Sequence, residues 1–328
     1  MTTLSHNLYN TRAIVIVATM KQKHLESCLS SIPNRIFSDP KIQLEQYPTS
    51  VNLAASIVLT ALAKGDAGKG RTILDLGCGT GNLGLAFAMV KSDFVYLVDC
   101  DSDALDLARE NVEMLEEEEL IGSCSEDEDG CCMGVELIMA KLKYDPPKKN
   151  QSGGGGRGGK GRGRGRGGGG RGKGGRGSAS STQPNKLLLL DPKLDNRDDG
   201  IPLPSKMVDT VITNPPFGTK NNEGIDVQFL KTAIRLARRS VYSFHKTSTR
   251  PFLVKLLRDK WGLNVEVVAE MKFDIPNMYK FHKQKCVDVE VDLIRVFWEE
   301  EDAIENKDAS EEEESEGEEM PLGVCGVA

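Results

Sequence analysis

The chain is short of several things. Aromatic residues make up 5% of its 328 positions, with two tryptophans, and there are four histidines; an aromatic ring inside a motif therefore carries weight. No apolar run approaches the ~18 residues that a membrane-spanning helix needs, so a soluble protein is expected. None of the eight cysteines stands in a C-x-x-C pair. That spacing offers neither a zinc site nor a secreted disulfide framework, and no metal is expected. Without a secretory signal, a reducing compartment, nucleus or cytoplasm, is the natural setting.

Net charge is only −7, but the sum hides three regions. Residues 153–177 hold eight Arg or Lys and seventeen Gly without one acid, and residues 299–319 hold thirteen acids and one lysine. The remainder is nearly neutral, 33 basic against 36 acidic. A Gly/Arg run cannot bury apolar surface and reads as a flexible insertion, residues 148–184, whose spaced cations suit RNA phosphates and bases. The acidic end, 299–328, reads as a solvated tail. Residues 1–19 precede any recognisable element and read as an N-terminal extension, leaving one catalytic domain over 20–298.

Asn214-Pro215-Pro216-Phe217 follows directly on the apolar stretch Val208-Asp209-Thr210-Val211-Ile212. A strand stopped by two prolines cannot continue its ladder, so the Asn side chain and the next carbonyl project from the carboxyl end of the sheet, where open α/β sheets bind ligands. Two acceptors side by side can take both hydrogens of an exocyclic NH₂, with Phe217 stacking on the ring that bears it.

The electrophile's site is expected upstream. Thr72-Ile73-Leu74-Asp75-Leu76 runs into Gly77-Cys78-Gly79-Thr80-Gly81-Asn82 and then a helix; a second strand, Phe94 to Val98, ends in Asp99. This is a strand, glycine loop, helix and strand, closed by the carboxylate that holds ribose hydroxyls. The glycine spacing is not the G-x-G-x-x-G of pyrophosphate binders. Asp75 before the loop would repel a diphosphate and suit a cation, which favours S-adenosylmethionine over a nicotinamide nucleotide. Cys78 inside the loop reads as a small tolerated residue.

The chain also resembles a known family. Glu45-Gln46-Tyr47-Pro48-Thr49, the stretch from Asn214 to Asn222, Val241 to Lys246 with Ser248-Thr249-Arg250, and Tyr279 to Lys283 continuing into Val289 to Arg295 are similar to methyltransferase-like protein 5. The likeness spans roughly residues 20–298 apart from the insertion. It implies a Rossmann-like class I S-adenosylmethionine-dependent methyltransferase, with a seven-stranded mostly parallel sheet and an antiparallel edge strand. It further implies N6-adenine methylation of small-subunit (18S) ribosomal RNA, with a small zinc-binding activator subunit as partner.

By matching position the resemblance puts cofactor contacts on Gln46, Thr49, Gly77, Thr80, Asn82 and Asp99, and catalysis on Asn214 to Phe217. Asp75, Gly79 and Gly81 join the cofactor set from the loop itself. Where the family carries an acid for the cofactor's adenine amine, this chain has Lys141, which offers no acceptor; Asp145 or Asp191 would have to substitute, or affinity rests on the other contacts.

Leu25, Cys28, Leu29 and Ile32 fall at helical spacing before Pro33, and Ala104, Ala108, Val112 and Leu115 mark another helix. Leu230, Ala233, Ile234 and Ala237 mark a third. Val265 to Ala269 and Val289 to Trp298 read as the last two strands, paired antiparallel. Between them Tyr279, Lys280, Phe281, His282 and Lys283 interleave rings with cations, as a flipped or single-stranded base requires. Lys220, Lys246 and Arg250 are further candidates for RNA contact, and His245 reads as structural or RNA-facing. Two other readings use the same residues: a glutamine-N5 protein methyltransferase, and a non-catalytic RNA-binding scaffold.

Overall fold

Stretches of Val, Ile and Leu broken by glycine turns form the strands, and smaller apolar residues at helical spacing form the layers that cover them. The computed structural model describes residues 21–37, 39–122, 125–126, 132–144, 198–218, 222–276 and 286–298. The N-terminal extension, the Gly/Arg insertion and the acidic tail lie outside the described residues, as do Asp145, Asp191, Lys220 and residues 279–283.

The strands are β1 (Thr72–Leu76), β2 (Phe94–Asp99), β3 (Ser125–Glu126), β4 (Cys132–Met139), β5 (Val208–Thr213), β6 (Ala237–Lys246), β7 (Asn264–Pro276) and β8 (Cys286–Phe297). They form one sheet in the order β3-β4-β2-β1-β5-β6-β8-β7. From β4 to β6 the pairing is parallel, β1 lying between β2 and β5 with Ile73 opposite both Val95 and Thr210. β8 runs antiparallel to both of its neighbours. The seven long strands are the expected mostly parallel sheet with its antiparallel edge pair. The reversed strand sits one place in from the edge, and two-residue β3 adds a short hairpin to the far side.

The central strands read as continuous apolar runs because both faces are covered. One face carries α1 (Gln22–Ser31), α2 (Val51–Ala63), α3 (Asn82–Met89) and α4 (Ser102–Glu117), whose Leu25, Val58, Phe87 and Leu115 pack with Ile73, Val95 and Leu97. The other carries α5 (Ile225–Leu236) and α6 (Arg250–Lys255), the latter continued by one π turn, Leu256–Lys260. Leu230, Ile234, Leu253 and Leu257 there pack on Leu74, Val211, Val241 and Ile294. Burial of each such side chain is worth ~1.5–3 kcal/mol.

A buried ion pair secures the chain where it re-enters after the insertion. The Arg235 guanidinium on α5 donates to both oxygens of Asp199, at 2.8 and 2.9 Å, and Thr232 Oγ1 and the Ile201 N–H complete the carboxylate's partners. Both side chains are fully buried. The pair fixes residues 198–203 on the second face, which places Ile201 beside the cleft at the strands' carboxyl ends.

Candidate active site

The carboxyl ends of β1, β2, β4 and β5 open into a cleft of about 1000 Å³ counted to its mouth. Gly77, Gly79, Thr80, Asn82, Asp99 and Lys141 line it, and Asn214 and Pro216 border the same space. The glycine loop and the Asn-Pro-Pro-Phe loop therefore meet, as the two-reactant reading requires.

The glycine loop is held from below. Gly77 and Cys78 both donate N–H to the Val98 carbonyl, and the Gly79 N–H reaches Asp99 Oδ2 at 2.8 Å. Gly79 has φ +56°, a conformation that strains any other side chain, and a Cβ there would stand 2.7 Å from the tip of the Phe37 ring. Asp99 Oδ1 accepts the Asp101 N–H. Burial pushes the Asp99 carboxyl up, and those backbone donors partly offset the shift. Burial also pushes the Cys78 thiol well up, with Asp99 adding to it, so this cysteine is an unreactive wall.

Phe37 and residues 43–49 roof the cleft. Lys41 Nζ bonds Asp101 and, at 2.8 Å, Asp103 at the start of α4. Gln46 Nε2 donates to Asp101 Oδ2 at 2.6 Å while its Oε1 accepts the Lys41 N–H at 2.7 Å. Burial opposes the charge on Asp101, but the Lys41 and Gln46 hydrogen bonds win and hold its carboxyl below the usual range.

The acceptor loop is fixed through the same roof. Asn214 Nδ2 donates to Thr49 Oγ1 at 3.3 Å, which leaves Asn214 Oδ1 as the acceptor to be offered. The Phe217 N–H donates to Glu45 Oε2 at 3.0 Å, and Asn222 Nδ2 reaches the Gln43 carbonyl at 3.2 Å. Thr213 Oγ1 donates to the Leu76 carbonyl, tying the end of β5 to the end of β1. Gly218 turns the loop with φ +72°, where a Cβ would meet the Asn222 carbonyl at 2.8 Å.

Several expected contacts move. Asp75 is not in the cleft: it is buried beneath the loop, where Oδ2 accepts the Gly84 N–H at 2.8 Å, and burial pushes its carboxyl up to about 7. It braces α3 and cannot serve as the counter-charge for a cationic ligand. Gly81 is the N-cap of α3 and stands behind the lining. Gln46 lines the cleft, but its amide is committed to the roof. Pro215 is buried, and Phe217 lies at the rim with its ring packed on the first core. The Arg250 guanidinium is a strut between Asp292, at 2.5 and 2.6 Å, and Glu270, at 2.8 Å, rather than an open cation. Lys246 is half-buried at the end of β6.

Other site residues carried no signal strong enough to single them out. Phe37, Ile201 and Phe229 are apolar walls, and Glu45 was visible only as a neighbour of Gln46. Lys141 lines the cleft beside Leu142 as expected from its place after β4.

Residues 48–128 match the family model described as the methyltransferase small domain. The rRNA N(6)-adenosine-methyltransferase METTL5 of Danio rerio is 35% identical over 277 residues, covering 84% of this chain and 98% of that protein. Its Drosophila melanogaster counterpart is 32% identical, covering 85% and 97%. The chain belongs to this METTL5 family. A crystal structure of a putative RNA methyltransferase from Pyrococcus horikoshii, 24% identical with a TM-score of 0.53, covers 85% of this chain and 98% of its own and shares the fold.

S-adenosylmethionine is the cofactor of this family's cleft, and the residues present fit it. Asn82 Oδ1 is a buried acceptor with no hydrogen-bond partner among the described residues, suited to a donor such as the cofactor's ammonium. The glycine loop lets backbone approach the ligand, and Asp99 retains lone pairs for ribose hydroxyls. No group of His, Cys, Asp or Glu among the described residues could hold a metal, and no described helix is long and apolar enough to cross a membrane.

Proposed function

We propose that this protein transfers a methyl group from S-adenosylmethionine to the N6 amine of an adenosine in small-subunit (18S) ribosomal RNA. The observation that carries the reading is the Asn214 amide, oriented by Thr49 over the cleft that the glycine loop and Asp99 also line. Kinship with proteins named as rRNA N6-adenosine methyltransferases supports the choice of base and of nucleic acid.

The bound cofactor supplies a sulfonium methyl group open to in-line displacement. The protein's part is to place the amine. Asn214 Oδ1 and the Pro215 carbonyl accept the two N6 hydrogens, which turns the nitrogen lone pair toward the methyl group, while Phe217 takes one face of the flipped base. Positioning of this kind supplies most of the rate when no covalent enzyme intermediate is needed. No general base is required in the displacement, because the amine's proton departs to solvent afterwards.

Lys220, Lys246, residues 279–283 and the Gly/Arg run are proposed to hold flanking RNA. A small zinc-binding activator subunit is the proposed partner. The test is incubation with labelled cofactor and separated rRNA and protein fractions, followed by mass spectrometry of ribosomal nucleosides. Label appearing as N6-methyladenosine at one small-subunit position is the expected result. Label in a glutamine side chain would replace the reading with the protein methyltransferase, and no transfer with no cofactor binding would replace it with the RNA-binding scaffold.

A further inference from the structure

The Asn-Pro-Pro-Phe loop has two ends. Asn214 and Phe217 are tied to the roof; the loop's exit is the start of α5. That helix begins at Gly224 with φ +86° and no side-chain cap, so no cap fixes the direction of its first turn, although Asn222 ties the chain to the Gln43 carbonyl two residues earlier. Yet the direction matters. Ile225 and Phe229, on the first two turns of α5, line the cofactor cleft, and the Phe229 ring would stand 3.1 Å from a Cβ on Gly77. The first turn of α5 thus sets both the loop's exit and one wall against the glycine loop.

One side chain from the sheet reaches that turn. His245 on β6 is fully buried, with Nδ1 3.1 Å from Asp226 Oδ2 and Nε2 2.9 Å from Ser243 Oγ. A carboxylate only accepts, so Nδ1 carries a proton toward Asp226, and Nε2 shares a hydrogen bond with the Ser243 hydroxyl. Asp226 lies in the first turn of α5 and faces partly outward, its side chain 14% exposed. Ser243 is rooted in the parallel pairing of β6 with β5, opposite Thr213, the residue before Asn214. The three side chains join the strand end that launches the loop to the helix that receives it.

We infer that His245 is a positioning residue for the methyl-transfer reaction, acting through Asp226 to hold the exit of the Asn-Pro-Pro-Phe loop in its reactive geometry. This rests on the function proposed above. Its two hydrogen bonds separate the positioning role from mere core filling, because two amide substitutions each keep one of them. His245→Asn places an amide N–H near the Nδ1 position and can keep the Asp226 bond. His245→Gln places its amide near the Nε2 position and can keep the Ser243 bond only.

The experiment compares kcat, cofactor Kd and melting temperature of the full-length protein and its variants on rRNA. His245→Asn is expected to keep kcat within about threefold, whereas His245→Gln and Asp226→Ala lose about tenfold or more, with cofactor Kd little changed in all three. Equal kcat for folded His245→Asn and His245→Gln, or unchanged kcat in Asp226→Ala, would overturn the inference. Asp226→Ala changes a partly exposed side chain, so it remains informative if the His245 variants do not fold.

Amide hydrogen exchange of the free protein provides a reading that needs no substrate. Exchange at Phe217 and at Gln228 should quicken in His245→Gln and Asp226→Ala but not in His245→Asn. If the unmodified protein methylates no RNA while this pattern appears, the proposed function fails and the positioning role stands. If methylation is found and the pattern is absent, the positioning role alone fails.

Discussion

The two ends of the parallel strands use the same residue types to opposite effect. Toward the amino ends, Asp66 is buried among protein donors: Oδ2 accepts Tyr242 OH at 2.7 Å and Arg295 Nε at 2.8 Å, and its backbone carbonyl accepts Thr210 Oγ1 at 2.7 Å. Burial and the Asp66 charge both push the Tyr242 phenol up, so it stays a donor. At the carboxyl ends, Asn82 Oδ1 is left over, Asn214 spends one end of its amide on Thr49, and glycines with positive φ hold the backbone open. Around Asp66 the paired groups lock strands together. Where acceptors remain unspent, they define what the protein can bind.

The sharpest way to break the contrast is to remove one residue from each end. Asn214→Ala takes away an acceptor that acts on the substrate alone, and turnover should fall by about a hundredfold or more while cofactor Kd, measured by calorimetry, changes little. Activity within tenfold of the unmodified protein would refute the role. Melting temperature should hardly move, because Asn214 is half-buried and its side chain's partner among the described residues is a hydroxyl.

Asp66→Ala should show the reverse pattern. It takes the acceptor from the buried Tyr242 hydroxyl and leaves the Arg295 guanidinium, 12% exposed, to Glu266 at 3.8 Å, and a buried group left unsatisfied in this way costs about 1–3 kcal/mol. A urea titration should show the midpoint falling without a matching change in kcat per folded molecule. A large drop in kcat with unchanged stability would mean that the amino-end network is coupled to the site.

How much of this contrast was legible in the sequence depends on its range along the chain. The glycine loop, Asp99 and the Asn-Pro-Pro-Phe stop are local patterns whose geometry follows from Gly and Pro backbone limits, and they lie where expected. α2 went unread because Ala54, Ala55 and Ala61 dilute its apolar rhythm, although Ile57 and Val58 are buried beside them. The roof was invisible for a different reason. Lys41 to Asp101 and Glu45 to Phe217 join residues 60 and 172 positions apart, and no periodicity encodes such pairs. Asp75 misled because a carboxylate in an apolar strand looks like a ligand contact; its partner is a backbone N–H nine residues on.

That carboxylate supplies the next test. Asp75 has a folded-state value of about 7, above its ordinary 3.8, raised first by burial. The folded protein therefore binds this proton more tightly than the unfolded chain does, so the group's contribution to stability declines as pH rises from about 4 to about 7 and is flat above that window. Asp75→Asn keeps an acceptor for the Gly84 N–H and removes the titration. Its stability curve should lose that slope, and the variant should be the more stable protein above pH 7. An unchanged slope in urea titrations across the window would show that Asp75 is not the titrating group.

The smallest expected effect lies at the join between roof and catalytic loop. Glu45, in a left-handed conformation with φ +51°, directs its carboxylate onto the Phe217 N–H. Glu45→Gln retains an acceptor oxygen but gives up the charge, and a charge-assisted bond exceeds a neutral one by only about 1 kcal/mol. The expected loss is therefore about fivefold in kcat with cofactor Kd unchanged. Glu45→Ala, which removes the acceptor altogether, should cost more in kcat than Glu45→Gln does. If both variants instead weakened cofactor binding and left kcat alone, the roof would be a cover for the cofactor only, and the link between residues 45 and 217 would have no part in presenting the amine.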